Sequence, residues 1–167
     1  LWLGGFTVTI QVGDGTYTGT TELKPIPGAG AVVISGNLTT PSNVLISTTS
    51  SNCFYSNKVG SVYTIKGFKL QTTTLGSCIN VKNYAIVTIG LINFGACVGP
   101  HMYVETAKID CLSTSDGNYT ISGGALAHIY AQFNATVSLP SRTVTLTGTP
   151  AFSTAYIFAY GATTVYV

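Results

Sequence analysis

The chain has 167 residues, 46% of them hydrophobic and only 7% charged, with seven Lys and Arg against five Asp and Glu and a net charge of +2. That length suffices for one domain with a sizeable core. The sparse, scattered charge excludes the dense basic stripe of a nucleic-acid binder, and the aliphatic content excludes a disordered chain. No apolar run approaches the roughly 18 residues of a membrane-spanning helix, so neither nucleic acid nor membrane insertion is expected.

The first element is predicted within FTVTIQVGDGTYTG, residues 6–19. Thr7, Thr9 and Gln11 alternate with Val8, Ile10 and Val12, the period of a strand. Gly13-Asp14-Gly15 breaks the run, and Thr16-Tyr17-Thr18 resumes it. LWLGGF ahead of it lacks the basic start and length of a signal peptide. From there to Val167 no stretch shows the i, i+3, i+4, i+7 spacing of a helix. Short β-type runs alternate instead with Gly, Asn, Ser, Thr and Pro, the residues of turns.

These runs recur with a period. Leu23, Ile46, Leu70, Phe94, Ile121 and Leu146 form one apolar series, with steps of 23, 24, 24, 27 and 25. Val62, Ile86, Ile109, Val137 and Val165 form a second. Phe54, Ile79, Tyr103, Ile129 and Ile157 form a third. VYTIKGFKL at 62–70 overlays IVTIGLINF at 86–94 without a gap, and YTISGG at 119–124 overlays VTLTGT at 144–149. The leucine-rich consensus is absent, and hexapeptide coils have a shorter period. Three short strands per turn of about 24 residues predict an all-β, right-handed parallel β-helix of five to six rungs with little or no helix. An antiparallel β-sandwich is the alternative that composition allows. Ile65, Leu70, Ile89, Phe94, Ile121 and Leu146 are predicted core residues. Residues 1–167 read as a single β-helix domain. TTVYV closes the sequence within a strand, which predicts a segment of a longer chain or an end capped by a partner.

VTIQVGDGTYTG, AVVISGN and NVLIST resemble the opening rungs of the pectin-lyase-like β-helix superfamily. TIKGFKLQTTT, TYTISGGA and TVTLTG are similar to β-helix segments of bacteriophage tailspikes and tail fibres. The resemblance spans most of the chain. It implies a virion structural protein, a homotrimer among other virion proteins, and possible contact with host surface polysaccharide. It fits enzymes and non-catalytic adhesins alike. The primary expectation is a non-catalytic virion protein with no cofactor. The alternative is a receptor-binding depolymerase, a lyase or glycoside hydrolase.

Glycan hydrolysis requires two carboxyl groups facing one bond. Among Asp14, Glu22, Glu105, Asp110 and Asp116, only Glu105 and Asp110 are close in sequence, and they are the catalytic candidates. Lys108 between them is expected to keep both ionised. Asp14 and Asp116 read as turn residues bonding their own backbone, and Glu22 as a surface charge near Lys24. The superfamily's Asn-Thr-Asp, Asp-Asp and Gly-His-Gly motifs are missing. His101 and His128, 27 residues apart, are predicted to stack in adjacent rungs at the surface or an interface. No third ligand aligns with them for a metal. Cys53 and Cys78 are expected to lie over one another as free thiols; Cys97 and Cys111 complete the four. Tyr103, Tyr130, Tyr156 and Tyr160 crowd the later rungs and are the binding candidates, for a subunit interface first and a glycan second.

Overall fold

The computed structural model describes residues 3–167. Every strand pair in it is parallel, which excludes the sandwich. The strands wind as a right-handed coil of about six turns. The first rung comprises β1 (Thr7–Gln11), β2 (Gly15–Tyr17) and β3 (Thr21–Glu22); the second, β4 (Ala31–Ser35), β5 (Val44–Ser50) and β6 (Phe54–Ser56). The third has β7 (Val62–Leu75) and β8 (Ile79–Lys82), and the fourth β9 (Ile86–Phe94) and β10 (Met102–Glu105). In the fifth lie β11 (Lys108–Cys111), β12 (Tyr119–Ile121) and β13 (Ala125–Gln132), and in the sixth β14 (Thr136–Ser138), β15 (Val144–Leu146) and β16 (Phe152–Tyr160). β17 (Thr164–Tyr166) begins a further turn on β14.

Three faces result. The first stacks β1, β4, the front of β7, the front of β9, β11, β14 and β17; the second stacks β2, β5, the rear of β7, the rear of β9, β12 and β15. The third stacks β3, β6, β8, β10, β13 and β16. β7 and β9 each serve two faces because they bend without breaking. Gly67 makes the bend in β7 with φ +77°, and an added Cβ there would meet the Asn37 carbonyl at 2.9 Å. Leu91 takes the same left-handed conformation in β9, at φ +49°.

Inside, apolar side chains stack rung on rung. Ile46, Leu70, Phe94, Ile121 and Leu146 are paired in unbroken register, as the spacing predicts. Leu23 does not belong to that series; Tyr17 occupies its place opposite Ile46. Leu23 is instead buried on the third face, where its carbonyl accepts hydrogen bonds from the buried Ser56 and Ser61 hydroxyls. Two other expectations are off by one residue. Met102, not Tyr103, pairs with Ile79 and Ile129. Val87, not Ile86, pairs with Ile109. Loop lengths vary between rungs, so sequence spacing alone misplaces a residue by one, and in a strand one residue reverses the face.

Ile65, Leu70, Ile89, Phe94 and Ile121 are fully buried, whereas Leu146 is 60% exposed. Its strand pairs with β12 alone, so nothing stacks above it. The corner between the third and first faces was not foreseen from the sequence. Asn83, Tyr84, Thr106, Phe133, Asn134 and Ala162 all carry positive φ there, and glycine stands at this corner only once among them, as Gly161. Each rung turns at this corner through backbone bonds to the next, such as Tyr84 N–H to Thr106 O and Asn134 N–H to Gly161 O.

Candidate functional site

The outer side of the third face carries two adjacent columns. In the first, Tyr103, Tyr130 and Phe158 occupy one register position in successive rungs. Parallel strands about 4.8 Å apart bring flat rings into stacking range. Tyr103 and Tyr130 stack with centroids 5.4 Å apart and planes 10° from parallel, and Tyr130 and Phe158 at 4.9 Å and 26°. The second column, two residues on, is Lys82, Glu105, Gln132 and Tyr160.

Glu105 Oε2 gathers the polar groups of both columns. It accepts from the Tyr103 hydroxyl at 2.6 Å and from the Gln132 amide at 2.6 Å, and it pairs with Lys82 Nζ at 3.4 Å. Gln132 Nε2 also donates to the Tyr103 oxygen, and the Tyr160 hydroxyl donates to Gln132 Oε1. Lys82 Nζ lies 4.9 Å from the Tyr103 ring centre. The Tyr103 bond, then the Gln132 bond and Lys82, hold the Glu105 carboxyl below its usual range against the opposing effect of burial. Burial first, and the Glu105 carboxylate second, push the Tyr103 phenol up. Glu105 is therefore a fixed carboxylate rather than a proton donor.

Asp110 takes no part. It sits on β11 of the first face, around the corner from Glu105, where Lys108 Nζ binds its Oδ2 at 2.8 Å. The arrangement corrects the expectation that Lys108 serves both acids: each carboxylate has its own lysine, on its own face. Asp14 also departs from expectation. Its carboxylate accepts from the Asn37 and Asn43 amides of the next rung, at 3.0 Å each, rather than from its own turn.

Of the four tyrosines, Tyr103, Tyr130 and Tyr160 come together. Tyr156 does not join them. Its ring stacks on His128 at 5.1 Å, near the corner between the second and third faces. Because Tyr103, Tyr130 and Phe158 cover one another's faces, this column presents ring edges and a hydroxyl network rather than open aromatic faces.

His101 and His128 do stack in adjacent rungs, but both are fully buried, not at the surface. They pack among Phe94, Tyr119 and Phe152. Their Nδ1 atoms are 3.1 Å apart. His101 Nε2 faces the Gly95 carbonyl at 2.9 Å, so it must carry a proton and donate it. With His101 neutral, its Nδ1 accepts from His128 Nδ1–H, and His128 Nε2 accepts from the Tyr119 hydroxyl at 3.1 Å. One directed chain thus satisfies every buried polar atom of both rings. Burial lowers the His101 pKa to about 4, and burial together with His101 lowers that of His128 well below the ordinary value.

All four cysteines are free. Cys53 and Cys78 lie over one another, as expected, and with Cys97 they form a buried interior cluster. Thr72 donates to the Cys97 sulfur at 3.3 Å, and the Cys53 and Cys78 thiols face the Gln71 and Leu70 carbonyls. Among the described residues no group of three His, Cys, Asp or Glu side chains is placed to hold a metal ion. Comparison of the chain with family models, curated proteins and solved structures gives no match.

Proposed function

We propose that this chain is a non-catalytic β-helical structural module of the tailspike and tail-fibre type, a rigid trimeric element of a virion surface that meets host glycans without cutting them. The virion and the trimer rest on the sequence resemblance. The absence of cleavage rests on one observation: Glu105 and Asp110 lie on different faces, each neutralised by its own lysine. A hydrolase needs one carboxyl held protonated and a second across the same bond. Here Glu105 is held ionised by three donors. The shape of the molecule supports the same reading. A coil closed by stacked rungs is stiff along its axis, since each rung is fixed by both neighbours.

The test is incubation of the protein with bacterial capsule and lipopolysaccharide, followed by assay for new reducing ends and unsaturated sugars. No new chain ends are expected. Product that disappears in Glu105→Gln or Asp110→Asn would overturn the proposal in favour of a depolymerase.

A further inference from the structure

The groove at the corner between the third and first faces combines an open aromatic face with free polar groups. It encloses about 350 Å³ and is bounded by Tyr84, Thr106, Lys108, Asn134 and Thr136 over a floor of Ala85, Ile86 and Ala107. Tyr84 differs from the aromatics of the third face. Tyr103, Tyr130 and Phe158 cover each other, and Phe133 meets the Tyr160 ring at 5.3 Å. Tyr84 is 68% exposed, and no ring packs on it among the described residues. It is also held at φ +61°, a backbone conformation that bulky residues rarely adopt. The Tyr84 N–H bond to the Thr106 carbonyl fixes that corner and aims the side chain outward.

The polar wall is unspent. The Asn134 amide and Thr136 hydroxyl make no side-chain hydrogen bond among the described residues. Thr106 Oγ1 uses its proton on the Phe133 carbonyl and keeps its lone pairs. Lys108 uses one of its three donors on Asp110, and its side chain is 44% exposed. A flat apolar face, an amide, two hydroxyl oxygens and an ammonium around one shallow groove match a pyranose ring. Such a ring has one C–H face for an aromatic and a rim of hydroxyls that both donate and accept.

We infer that this groove is a subsite for one neutral hexopyranose unit of a glycan chain, stacked on Tyr84 and hydrogen-bonded by Asn134, Thr136 and Lys108. Lys108 is already paired with Asp110, so the groove presents no unneutralised charge and suits a neutral sugar. The inference rests on the proposed contact with glycans and gives that contact a place, away from the Tyr103 column.

The experiment is binding of the whole chain to an array of neutral and acidic polysaccharides and their defined oligosaccharides. Tyr84→Asn removes the ring while keeping a residue at ease with positive φ. Tyr130→Leu serves as the comparison on the stacked column, and circular dichroism confirms that both variants fold. Binding to neutral glycans that falls about tenfold in Tyr84→Asn, the scale of one aromatic stacking contact, and holds in Tyr130→Leu is the expected result. No binding to any glycan would overturn the inference, as would binding lost only in Tyr130→Leu. So would a Tyr84-dependent self-association in sedimentation, which would make the groove a contact between copies. Newly cut chain ends in the same samples would sink the non-catalytic reading and leave the subsite standing, so the two failures are separable.

Discussion

Acidification should destabilise this protein well above the pH at which carboxylates titrate, and the buried histidine pair sets the size of the effect. Both rings are fully buried and neutral, in a chain that already uses every ring nitrogen. Their folded pKa values are depressed below the unfolded value, to about 4 for His101 and well below the ordinary value for His128. For a histidine held neutral by the fold, the unfolded chain takes up protons first. Stability is therefore complete above the unfolded pKa near 6.5 and falls as pH drops toward the folded pKa. Two such groups moving from pH 7 to pH 5 cost about 4 kcal/mol, with each unit of pH worth about 1.4 kcal/mol per proton. Folded carboxylates such as Glu105 have their pKa lowered too, but their contribution is lost as pH falls from the ordinary carboxylate value toward the lowered one, below the histidine window. The assay is urea unfolding followed by circular dichroism at pH 7, 6 and 5. His128→Gln removes one titrating ring and should roughly halve the loss between pH 7 and 5. A stability that stays flat over that interval, or an unchanged slope in His128→Gln, would refute the burial argument.

Leu70→Ala should cost roughly 2–5 kcal/mol in the same unfolding assay, because the side chain is fully buried between Ile46 and Phe94. Leu146→Ala, at a position 60% exposed, should cost well under that, within about 1 kcal/mol. Thiol titration of the native protein should modify Cys111 first, since it is the one partly exposed cysteine, and reach Cys53, Cys78 and Cys97 only on unfolding. Light scattering of the protein at micromolar concentration should give the mass of a trimer; a monomer would remove that part of the proposed function.

Much of the coil was legible because the repeat is carried by side-chain parity. Leu70, Phe94 and Ile121 recur in one phase and take the same place in successive rungs. The sequence overlay of 62–70 on 86–94 is the observed register. Legibility failed where backbone geometry is not written in residue type. The left-handed corner mixes Asn83, Asn134 and Gly161, which suit positive φ, with Tyr84, Thr106 and Phe133, which carry no such preference, so no constant residue type marks it. It failed again where partners lie one full turn apart. Lys82 reaches Glu105 and Asn37 reaches Asp14 across 23 residues, so local reading assigned Glu105 to the nearer Lys108 and Asp14 to its own backbone. The spacing of the histidines predicts their rungs but not that both rings turn inward. A His beside an apolar ladder position at a corner can turn inward, where the chain through Tyr119 satisfies it.

The separation of Glu105 from Asp110, the exposure of Tyr84 and the burial of the histidines all follow from which residue lies above which. A double-mutant cycle tests that register in solution. Leu70→Ala and Phe94→Leu, on rung neighbours paired in the second face, should show a coupling of about 0.5–3 kcal/mol in urea unfolding. Leu70→Ala with Leu146→Ala, three rungs removed on the same face, should be additive within about 0.5 kcal/mol. Additivity for Leu70 with Phe94, or strong coupling of Leu70 with Leu146, would contradict the stacking on which every proposal here depends.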